Sequence, residues 1–120
     1  MINVQERPQL LEDRTLNFAS DIIVFSKSLP RSLENDVIRK QLVRSASSIG
    51  ANYTEANNSS SKLDFKNKIY IAKKEASETR YWLKLAKKTN EHVDTGGLLD
   101  EVSQLVFIFQ KIVSTMKNGN

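Results

Sequence analysis

Lys66, Lys73, Arg80 and Lys87 recur at every seventh residue, so on a helix they form one edge with about 10.5 Å between neighbours. Such a row can contact successive phosphates of a nucleic-acid backbone, where affinity comes from counterion release and weakens with salt. The same spacing also suits cations that pair with acids on neighbouring helices or keep a bundle solvated. The charge around the row is uneven. From Lys62 to Lys88 nine basic residues stand against Asp64, Glu75 and Glu78, a net of +6, whereas the 120-residue chain carries +4 and the remainder therefore −2. Tyr81 and Trp82, next to Arg80, could stack on unpaired bases. Aromatic residues on a bundle helix are more often core or interface.

Other chemistries find less material. Glu55, Glu75 and Glu78 resemble paired carboxylates, but a di-iron bundle needs Glu-x-x-His ligand sets, and the single histidine, His92, falls in an expected loop. No metal and no cofactor are therefore expected. Arg44, Asn52, Glu55, Glu75 and Glu78 read better as a structural polar network that fixes helix register or subunit contact. One loop histidine allows no Ser-His-Asp arrangement, and no glycine-rich phosphate cradle follows a strand. No catalytic residue is assigned. With no cysteine there is neither a disulfide framework nor a thiolate metal site.

These residues need helices to position them. In Gln41 to Glu55 and the alanine that follows, Leu42, Ala46, Ile49, Tyr53 and Ala56 form one stripe at spacings of four and three. Between them Ser45, Ser47, Ser48, Gly50 and Ala51 are small enough for a neighbouring helix to approach almost to backbone contact. Ser45, Ser48, Asn52 and Glu55 make a polar stripe beside the apolar one, and such groups must find partners or stay wet. The pattern predicts helices over about 11–29, 33–58, 62–89 and 95–117, with residues 1–9, which contain Pro8, as a loose arm. Pro30 ends the first helix and Ser32 caps the second. The run Asn57 to Ser61 breaks the second, and Ser61 with Asp64 forms a capping box for the third. Phe65, Ile69, Ala72, Ala76, Thr79, Leu83 and Ala86 give that helix an unbroken heptad seam. Asp94 or Thr95 caps the fourth, although the poor helix propensity of Gly96 and Gly97 leaves Leu98 as an alternative start.

A single domain of this size buries about one face per helix. Trp82 on the third helix and the run Leu105 to Phe109 on the fourth put apolar surface elsewhere, which assigns Trp82, Phe107 and Ile108 to an oligomer interface. No stretch approaches the ~18 apolar residues of a membrane span, and MINVQERPQL has no apolar run of signal-peptide length. A cytoplasmic location with no membrane partner is expected, so the sequons at Asn52, Asn57 and Asn58 would not meet the glycosylation machinery.

Leu29-Pro30, Gln41 to Ser45, Ser48 to Ala56, Ser61 to Phe65, Lys74 to Ala76 and Glu78 to Leu83 resemble blocks of a known family. It comprises the four-helix bundle proteins named for reading frames inside intervening sequences of bacterial 23S ribosomal RNA genes. Members commonly have Pro after the isoleucine and Gly after the glutamate; Gly50 and Ala56 occupy those places here. The resemblance covers about residues 10 to 117 and implies an all-α, up-down-up-down bundle that assembles into a ring, a homopentamer, without enzyme activity. A related branch, the accessory variability proteins of diversity-generating retroelements, uses basic surfaces to engage a reverse transcriptase and nucleic acid. From that branch only cationic character transfers, onto Lys66, Lys73, Arg80 and Lys87. The expectation is a non-enzymatic, homo-oligomeric bundle that contacts RNA or DNA phosphates or serves as an accessory protein. The alternative is a protein-interaction scaffold with no nucleic-acid role.

Overall fold

Local sequence signals set the helix ends in the computed structural model, which describes residues 6–119. Among these residues there are four α-helices and no strand: α1 (Glu6–Ser28), α2 (Leu33–Asn57), α3 (Lys62–Thr89) and α4 (Gly96–Gly119). Ser32 caps α2 by accepting from the Asn35 N–H at 3.0 Å, and Ser61 caps α3 by accepting from the Asp64 N–H at 3.0 Å. At the head of α4 the Asp94 carboxylate accepts from the Gly96 N–H at 3.0 Å, which offsets the poor propensity of the glycine pair and starts the helix there rather than at Leu98.

The expected loose arm needs correction. Residues 6–9 are helical, because proline fits the first turn of a helix, where its missing N–H would have had no partner. Residues 1–5 of that arm lie outside the described residues.

Each helix turns one stripe inward. Phe18, Ile22, Leu42, Ile49, Ile69, Leu83, Leu105 and Phe109 are wholly enclosed, and Tyr53 meets Phe109 with ring centroids 5.7 Å apart. α2 packs most extensively on α3, then α3 on α4 and α1 on α2, while α1 touches α4 least. Gly50 sets the α1–α2 approach: a Cβ there would lie 2.8 Å from Thr15 Oγ1 and 3.2 Å from Thr15 Cβ. Thr15 is fully buried and its hydroxyl donates back to Leu11 and Glu12 carbonyls, so it cannot swing aside.

Candidate functional site

The charges of α3 separate by flank. Toward α2, Glu75 and Glu78 accept from Arg44, and Lys68 pairs with Glu55 at 2.9 Å. Lys66, Lys73 and Arg80 follow the other side of the buried stripe, the side of α4, and are half-exposed. Among the described residues these three form no ion pair. α4 offers them little counter-charge: its acids are Asp100 and Glu101, and Glu101 is bound by Arg14 at 2.7 Å on the α1 side.

Lys87 behaves differently from the rest of its row. Its ammonium donates to the Glu91 carbonyl and, at 2.8 Å, to the Val93 carbonyl, and so fastens the α3–α4 loop. The heptad spacing carried no sign of this, since the carbonyls belong to irregular backbone. Lys66, Lys73 and Arg80 are thus left as three cations along about 21 Å of helix.

The structure brings together part of the expected polar network. Arg44 Nη1 reaches Glu75 at 3.3 Å, its Nη2 reaches Glu78, and its Nε donates to Gln41 at 2.8 Å. Trp82 Nε1 donates to Glu78 at 3.3 Å. Burial would push the Glu78 carboxyl up, but hydrogen bonds from Arg44 and Trp82 and the Arg44 charge together hold it below its ordinary value. Two expected members stand apart. Glu55 is taken by Lys68, and the Asn52 amide donates at 2.8 Å to the Ser48 carbonyl of its own helix.

Other polar joints were missed. Asn35 and Asn90 exchange amide hydrogen bonds at 2.9 and 3.0 Å in a buried site between the head of α2 and the tail of α3. The Thr79 hydroxyl donates to Ser45 Oγ at 2.7 Å in the core. Arg14 grips Glu101 and, at 2.8 Å, Gln104. Each joins residues far apart in sequence. The one signal at hand was that Ser45 and Thr79 lie on or beside apolar stripes.

Of the three assigned interface residues, Phe107 is 64% exposed, whereas Ile108 and Trp82 are half-buried and Trp82 packs against the core. Phe107, Ile108, Lys111, Ile112 and Met116 line a shallow hollow on α4, with Lys111 Nζ 5.7 Å from the Phe107 ring centre. Among the described residues no group of three or more His, Cys, Asp or Glu could hold a metal ion, and no helix is long and apolar enough to cross a membrane.

Among solved structures the chain is similar to a protein with unknown function from the S23 ribosomal protein family of Bacteroides thetaiotaomicron VPI-5482. The two are 36% identical over 87% of this chain and 98% of that chain, with a TM-score of 0.79. No curated protein matches the chain. A family model described as 23S rRNA-intervening sequence protein matches residues 11–106, through the Arg44 cluster, the cationic flank and most of the buried stripes. With that match and the four-helix architecture together, the chain belongs to the 23S rRNA-intervening sequence protein family.

Proposed function

We propose that this chain is a non-enzymatic, homo-oligomeric bundle of the cytoplasm that binds nucleic acid through backbone phosphates, using the α4-side flank of α3. The observation that carries the reading is the segregation on that helix. Glu75, Glu78 and Lys68 are engaged by α2, while Lys66, Lys73 and Arg80 have no ion-pair partner among the described residues. Phosphate contacts of this kind give affinity with little base discrimination. No side chain is assigned to bond-making chemistry, and the role is that of an accessory protein.

The helices run up-down-up-down. In support, Glu12 near the start of α1 meets Asn57 at the end of α2, and Arg39 near the start of α2 reaches the Ser26 carbonyl near the end of α1. Arg44 with Glu78 and Glu55 with Lys68 repeat the pattern between α2 and α3. We assign the exposed Phe107 hollow, with Leu16 and Val24 of α1, both 66% exposed, to contacts between copies in a ring, a pentamer as the family resemblance implies. A second reading, a scaffold for another protein such as a reverse transcriptase, is favoured by the same exposed α4 hollow and by the structural use of Lys87.

Salt titration separates the two. RNA and DNA binding at 50 mM salt should fall steeply by 200 mM, and a Lys66→Glu, Lys73→Glu, Arg80→Glu variant should bind at least about tenfold more weakly. Absence of binding at low salt, or indifference to the reversal, would leave the scaffold.

A further inference from the structure

A second row on α3 remains once the phosphate flank is described. Lys74, Tyr81 and Lys88 are also seven apart, and Lys84 lies one turn beyond Tyr81. All four are exposed, and among the described residues none of the three lysines forms an ion pair or a side-chain hydrogen bond. Tyr81 is 60% exposed. An aromatic ring standing in water between two lysines contributes little to the bundle's core, yet its setting is ordered from beneath. Trp82 meets it edge-on, with centroids 5.2 Å apart and planes at 79°. The Trp82 indole is half-buried against the core and tied through Nε1 to Glu78, which Arg44 holds in turn.

We infer that Tyr81 is a stacking platform for an unpaired nucleobase, with Lys74, Lys84 and Lys88 holding the phosphates on either side of it, so that the protein prefers single-stranded nucleic acid to duplex. The inference rests on the nucleic-acid reading above and adds to it the state of the strand. A duplex offers phosphates to both cationic rows but keeps its base faces stacked, so it gains nothing from the ring. A single strand gains both terms, and base stacking on an aromatic side chain is tolerant of sequence. The common ligand chemistry is an unpaired base within a polyphosphate chain, which single-stranded RNA and DNA both supply.

Trp82 is the sole tryptophan, so intrinsic emission reports on the platform directly. The full chain at low salt is titrated with oligo(dT), oligo(U) and a DNA duplex of equal length, reading anisotropy of labelled strands and Trp82 emission. Both single strands should bind more tightly than the duplex and change Trp82 emission. Tyr81→Ala should weaken single-strand binding about tenfold and leave duplex binding within twofold, while Tyr81→Phe retains the preference. Lys74→Glu with Lys88→Glu should weaken all three ligands. Far-UV circular dichroism checks that each variant is folded. Unchanged single-strand affinity in Tyr81→Ala, or equal losses on single strand and duplex, would overturn the platform while the phosphate reading stands. No binding of any ligand by the wild-type protein would remove both.

Discussion

At Gly50 a side chain as small as a methyl group is already too large for the space left by Thr15. Gly50→Ala gains about 1 kcal/mol in helix propensity but must push apart two helices whose facing group is pinned, at about 1 to 3 kcal/mol. The variant should lose about 1 kcal/mol net, read as a fall of about 4 °C in Tm. In a Thr15→Ala background the loss should shrink, and a double-mutant cycle measures that coupling. The buried Asn35–Asn90 exchange makes a separate claim. Asn90→Ala leaves the Asn35 amide short of a partner and should cost about 1 to 3 kcal/mol in denaturant melts. Glu78 adds a pH dependence. Its folded carboxyl sits below its ordinary value, so its contribution is present above about pH 4.3 and is lost as pH falls through the folded value. The stability gap between wild type and Glu78→Gln should therefore be under about 1 kcal/mol at pH 7 and close as pH falls below the ordinary carboxylate range, which thermal melts from neutral to acid pH would follow. The small side chains flanking Gly50 made close approach legible in the sequence. The identity of Thr15 as the opposing group was not, because helix pairing is a tertiary fact.

Among elements, α3 was the most legible, since its four-three alternation runs without a break and Ile69, Ala72, Ala76, Thr79, Leu83 and Ala86 are all buried. α2 repeats the lesson, with Leu42, Ala46, Ile49, Tyr53 and Ala56 all buried. α4 was harder. Its apolar run blurs the period, and Val113 is buried where Ile112 fits the sequence spacing and is half-exposed. The beginning of α1 was lost to an over-strict reading of Pro8. The site divides likewise: the cationic flank follows from spacing alone, whereas the loop carbonyls that occupy Lys87 and the Arg14 clasp depend on how distant segments meet. That clasp matters because α1 meets α4 over the least surface. Arg14→Ala should lower stability by about 1 kcal/mol and raise amide exchange in α1 ahead of α2 and α3, as measured by native-state hydrogen exchange.

On the scale of the whole molecule, a body of about 47 × 30 × 21 Å displays Phe107, Leu16 and Val24 to solvent, the apolar surface proposed above for contact between copies. Phe107→Lys should shift the mass by light scattering toward the 13.6 kDa monomer without altering the circular dichroism spectrum. A variant that keeps the wild-type mass would assign assembly to another face. The division of charge across α3 has an effect that begins before any contact forms. Because Glu75 and Glu78 are held by Arg44 on one side of α3 while Lys66, Lys73 and Arg80 have no ion-pair partner among the described residues on the other, a polyanion of the kind proposed above should be drawn to that second flank first. Capture should consequently be quick in dilute buffer and slow as ions shorten the reach of that field to about 8 Å at physiological strength.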